Sequence, residues 1–102
     1  MIEIISGADF EQKVLRSDVP VLVDFFATWC GPCQAMAPAL ERAAEAVEGK
    51  GRVYKVDIDA SPDLAVRYQV MAVPTLNLFK NGEVAKQLMG LQSEDALKSL
   101  FS

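Results

Sequence analysis

The segment Val21-Leu22-Val23-Asp24-Phe25-Phe26-Ala27 is apolar at every position but one. A strand with one wet face alternates apolar and polar residues, whereas an unbroken run reads as a strand covered on both faces. Such a strand needs a layer above the sheet and another below it, and helices have to supply both. The chain can meet that demand once. It has 102 residues, 51% of them hydrophobic, enough for one core of ordinary size, so residues 1–102 are read as one domain.

The remaining periodicities supply the layers. Ser6 can cap a first helix with Asp9 as its capping-box partner, and Phe10 and Val14 share a helical face. A second helix is expected from Pro32 to Val47, with Met36, Leu40, Ala43, Ala44 and Val47 on its apolar side and a bend at Pro38. Val53 to Ile58 alternates as a strand. Ser61-Pro62-Asp63 opens a third helix, with Leu64 and Tyr68 facing inward. Thr75 to Lys80 and Glu83 to Met89 flank Asn81-Gly82, a two-residue hairpin turn. Ser93-Glu94-Asp95 opens a last helix carrying Leu97, Leu100 and Phe101, and Glu3 to Ile5 is a short strand. The order predicts an α/β domain: a central mixed sheet flanked by helices on both faces.

Several functions are excluded before any motif is read. With no His, the chain cannot build a Cys₂His₂ zinc site, a Ser-His-Asp triad or a Cys-His nucleophile pair. A net charge of −4 without any cluster of Lys and Arg argues against binding nucleic acid. The longest uncharged stretch, Phe25 to Leu40, is 16 residues and is interrupted by Gly31, Pro32, Gln34 and Pro38. A membrane span takes about 20 apolar residues, so no membrane association is expected. The N-terminus MIEIISGADF lacks the basic region and apolar core of a signal peptide, which makes the cytoplasm the expected compartment.

Cys30 and Cys33 are the only cysteines, and they fall where the apolar strand gives way to the second helix. Free N–H groups and the positive dipole end at a helix N-terminus favour thiolate at Cys30, and only the thiolate attacks a disulfide well. A spacing of three lets Cys33 reach the Cys30 sulfur. Pro32 suits a first helical turn, Gly31 leaves the Cys30 sulfur without a bulky neighbour, and Trp29 offers a flat apolar flank. Blander readings compete poorly. Two buried small hydrophobes would not need this location. A structural staple closing so short a ring adds only about 2 kcal/mol. A zinc or iron–sulfur site would have to be shared between chains, and haem attachment needs His where Gln34 stands. Thiol redox chemistry is the expected role.

Trp29-Cys30-Gly31-Pro32-Cys33 following Val21 to Thr28, with Val73-Pro74-Thr75 and Phe79 to Glu83 further on, closely resembles the thioredoxin family over essentially the whole chain. The resemblance implies a thioredoxin fold and a protein-disulfide reductase that acts as a dithiol electron carrier. It makes Cys30 the attacking thiol, Cys33 the buried resolving thiol and Pro74 a cis-proline beside the disulfide. Without it, Pro74 would be read as a trans-proline opening an edge strand. The backbone of Val73, with Trp29, Ile58, Ala72, Gly90 and Leu91, would form a groove that takes an extended substrate segment by strand addition.

Asp24 matches the family's buried acid, a proton acceptor beneath Cys33. From the residues alone it could equally sit at a strand end facing water. Lys55 on the next strand could pair with it, or be a solvated edge residue. The resemblance further implies no bound cofactor, disulfide-containing protein substrates, and re-reduction by a thioredoxin reductase fed by NADPH or ferredoxin. A monomer is expected, since no apolar stripe is left over. Gln34, Phe26 and Ala72 depart from the Lys, Trp and Gly common at these positions, which bears on redox poise and preferred partners. The Gly31-Pro32 pair and the lack of His argue against an oxidising or isomerising member. A docking module with dispensable thiols is the reading from outside the enzyme class.

Overall fold

The computed structural model describes residues 1–102. Strand β1 (Glu3–Ile4) leads into α1 (Gly7–Phe10), which widens into a π-helical turn over Glu11–Leu15. There follow β2 (Val21–Phe26), α2 (Gly31–Ala46), β3 (Arg52–Asp57), α3 (Pro62–Arg67), β4 (Thr75–Lys80), β5 (Glu83–Met89) and α4 (Glu94–Ser99). The sheet order is β1-β3-β2-β4-β5. β3 lies parallel to β1 and β2, while β4 is antiparallel to β2 and to β5, so the sheet is mixed.

β2 lies at the centre of the sheet with all six residues buried, as its lack of alternation demands. Its side chains divide between two cores. Leu22 joins Leu76, Leu78, Met36, Leu40, Ala43, Leu97 and Leu100 beneath α2 and α4. Val21, Val23 and Phe25 point the other way, to Phe10, Val14, Val56, Leu64 and Phe79 beneath α1 and α3. Tyr68 wedges into this second core, with ring centroids 5.2 Å from Phe79 and 5.5 Å from Phe10. Asp24 shares its strand position parity with Leu22 and so faces the α2 side.

Local expectations fail at two helix starts. Ser6 and Ser61 both occupy N-cap positions, yet neither hydroxyl bonds the turn ahead of it. The capping box of Ser6 and Asp9 therefore does not form; only the Ser6 carbonyl accepts, from Asp9 N–H at 3.1 Å. Ser93 caps as expected, accepting from Ala96 N–H at 3.1 Å. α2 runs through Pro38 without interruption, and β3 ends one residue short of Ile58.

Candidate active site

Cys30 is the N-cap of α2, and its extended backbone turns the end of the β2–α2 connection into the helix. Its Sγ accepts a hydrogen bond from Cys33 N–H at 3.1 Å, while its carbonyl accepts from Gln34 N–H at 3.2 Å. Cys30 and Cys33 form a disulfide, with Cα atoms 5.3 Å apart. Gly31 and Pro32 make the exposed first turn between them, and a Cβ on Gly31 would meet nothing within 4 Å. The open flank expected around Cys30 is narrower than Gly31 suggested. Cys30 is 4% exposed and Cys33 5%, because the disulfide packs among Phe26, Ala27, Ile58 and Val73. Residue burial does not distinguish the two cysteines. What does is the N-terminal position of Cys30, whose sulfur receives the helix N–H.

The Val73–Pro74 peptide bond is cis, not the trans form that residue statistics favour. The turn is held by Thr75 Oγ1, which donates to Ala72 O at 2.6 Å, and by Gly90 N–H, which donates to Pro74 O at 2.8 Å. Val73 O lies 3.7 Å from Cys30 Sγ, and the N–H groups of Met71, Ala72 and Val73 donate to nothing in the chain. A row of free main-chain donors thus begins beside the disulfide. Trp29, Ile58, Val70, Met71, Ala72 and Val73, all with apolar side chains, line a groove of about 290 Å³ there. Gly90 and Leu91 do not line it. Gly90 instead adopts φ +84 against Pro74, and Leu91 is exposed.

Sequence reasoning missed Val70, Met71 and Asp59. Trp29 Nε1 donates to Asp59 Oδ2 at 2.8 Å, which fixes the exposed indole over the groove. Only the fold brings these residues together, since they are 30 positions apart. The expectation of no leftover apolar surface also fails: Trp29, Val66 and Met71 are 68%, 78% and 92% exposed.

Asp24 is buried, not solvated at a strand end, and its Oδ1 has no hydrogen-bond partner in the chain. Desolvation pushes its pKa up to about 6, and the Lys55 ammonium partly opposes that. Lys55 sits opposite Asp24 in the β2–β3 register. It is not an edge residue, because β3 lies between β1 and β2. Its ammonium lies 4.4 Å from the Phe26 ring centroid, a cation–π contact. Lys55 and Cys33 both line a recess of about 240 Å³, with Phe26, Ala27, Thr28, Gln34 and Ala37. The arrangement therefore joins a disulfide-bonded cysteine pair, free main-chain donors, and a buried acid whose neighbour Lys55 borders the same recess as Cys33.

Comparison with known proteins agrees with that arrangement. The thioredoxin family model matches residues 1–102. The chain belongs to the thioredoxin family. A thioredoxin of Staphylococcus aureus is 46% identical over 95% of this chain and 91% of its own length. The mitochondrial thioredoxin of Mus musculus is 46% identical over 93% of this chain. The chain spans 57% of the length of that mouse relative. Among solved structures, that of a chloroplastic thioredoxin z superposes with a TM-score of 0.88 at 32% identity, covering 98% of this chain and 90% of the other. The fold is that of the thioredoxins, and it places the Cys30–Cys33 disulfide at the N-terminus of α2.

Proposed function

We propose that this chain reduces disulfides in other proteins and is recycled by a thioredoxin reductase drawing on NADPH. The carrying observation is the Cys30–Cys33 disulfide at the N-terminus of α2, beside the cis Val73–Pro74 bond and its free main-chain donors. In the reduced protein, Cys30 thiolate attacks one sulfur of the substrate disulfide and expels the other as a thiolate. The mixed disulfide holds the substrate segment in the groove, paired with Val73. Cys33 loses its proton, with Asp24 as the acceptor and Lys55 tuning that carboxylate. Its thiolate then attacks Cys30 Sγ and releases the second substrate thiolate. Two electrons leave the protein as Cys30–Cys33 reforms. No bound cofactor enters, because the two sulfurs hold the electrons.

The reading includes action as a monomer in the cytoplasm. The mitochondrial location in the name of the mouse relative marks the alternative compartment. The deciding assay is reduction of a protein disulfide driven by NADPH and thioredoxin reductase, with wild type beside Cys30→Ser. Turnover in wild type and none in the variant is the expected result. Wild-type turnover with dithiothreitol but not with the reductase would keep the chemistry and discard the partner. Failure with both, with substrate binding intact, would leave a docking module.

A further inference from the structure

A second hollow, of about 520 Å³, adjoins the groove and is bounded by Ala65, Val66, Gln69, Val70 and Met71. The two share Val70 and Met71, so one apolar trough runs from the flank of the disulfide to the C-terminal end of α3. No charged side chain lines it. Gln69 makes this shape: its φ of +55 reverses the chain after α3, and Val70 N–H then donates to Ala65 O at 2.8 Å. Val66 and Met71 are the rim, and neither is required by the core, being largely exposed. Contiguous apolar surface of this kind marks an interaction site.

We propose that the end of α3 is a second subsite for the substrate polypeptide. It takes a large apolar side chain located two to four residues from the reactive cysteine. The inference rests on the groove being the substrate site, and its direction follows from the main chain. A segment whose cysteine meets Cys30 while its backbone pairs with Val73 continues along Ala72 and Met71, where the N–H groups are free. An extended segment advances about 3.3 Å per residue with alternate side chains on one face. Residues two and four places from the cysteine therefore point, like the cysteine, toward the protein, over Met71 and then Val66. A second copy of the chain is the poorer occupant, since each copy carries a net charge of −4.

Trp29 is the only tryptophan and lines the trough, so its fluorescence reports occupancy directly. The test titrates two extended peptides with Ser in place of the cysteine, one carrying Leu and the other Ser at the second and fourth positions from it. The leucine peptide is expected to bind about tenfold more tightly, as burial of one or two such side chains warrants. In Val66→Lys that preference falls toward one. Equal binding of the two peptides by wild type, or a preference that survives Val66→Lys, overturns the subsite. So does a concentration-dependent dimer in sedimentation that Val66→Lys abolishes, which would give the trough to a second copy. Stoichiometric reduction of 5,5′-dithiobis(2-nitrobenzoate), too small to reach α3, by the pre-reduced dithiol protein is measured alongside; Cys30 and Cys33 supply the two electrons, and the rate is expected to be equal in wild type and Val66→Lys. Absence of this reduction in wild type, with peptide preference intact, would remove the reductase reading while the subsite stands.

Discussion

Asp24 links stability to pH through one proton. Its folded pKa lies at about 6, above the 3.8 of a free carboxyl. Between these values the folded state holds a proton that the unfolded state has released, so stability falls as pH rises. The contribution is complete below about pH 3.8 and is lost as pH passes through about 6. A shift of this size corresponds to a few kcal/mol at most, on the order of 3. Asp24→Asn cannot ionise, so its stability relative to wild type should climb between pH 4 and 7 and then level off. Urea midpoints across that range check this. Under the proposed mechanism the same variant should slow the resolution step, and its single-turnover rate should lack the rise through pH 6 expected of wild type. Parallel stability curves for the two proteins would place Asp24 in contact with water in solution.

At the scale of elements, three serines stand at helix starts and only one caps. Ser93 Oγ accepts from Ala96 N–H, whereas Ser6 and Ser61 leave the first N–H groups to other partners or to solvent. Ser93→Ala should cost about 1 kcal/mol, and Ser6→Ala only a few tenths, read from denaturant midpoints. The difference was hidden in the sequence, because all three sites offer the residue type and none displays the backbone angles. Ser61 has ψ 64 in place of an extended value, whereas Ser6 is extended like Ser93 but has φ −118 against −76, and nothing else in the structure explains why its hydroxyl does not cap. The hairpin was plain by contrast. Asn81 and Gly82 adopt φ +53 and +81, the two positive values a tight two-residue turn requires. The register shift near Leu78 and Phe79, which leaves Ala85 unpaired, has no comparable signal.

The whole molecule is closed by contacts between distant segments, and Gly51 is where three of them meet. A Cβ there would stand 2.8 Å from the Pro20 carbonyl oxygen and 2.5 Å from the Phe101 ring. The ring can move, but the carbonyl belongs to the segment leading into β2 and cannot. Gly51 has no positive φ, so nothing local marks the position as glycine. Gly51→Ala should therefore destabilise the fold by about 1–3 kcal/mol through overpacking. Combining it with Phe101→Ala should relieve only part of that loss, after the cost of Phe101→Ala alone is subtracted. A denaturant midpoint unchanged by Gly51→Ala would show that the β2 and C-terminal segments yield freely.

The layers and a candidate chemistry were legible in the residues themselves. Near-continuous apolarity over Val21 to Ala27, broken only by Asp24, called for helices on both faces, and two cysteines one helical turn apart at a strand–helix junction pointed to thiol chemistry. Both are local properties, carried by residue type and short spacing. The tertiary structure alone decided the surroundings of that chemistry. It buried Asp24 opposite Lys55, aligned Trp29 with Asp59, and joined Val70 and Met71 to Ile58 across separate elements. Burial, desolvation and groove shape depend on which distant segments pack together, and no short window of residues records that.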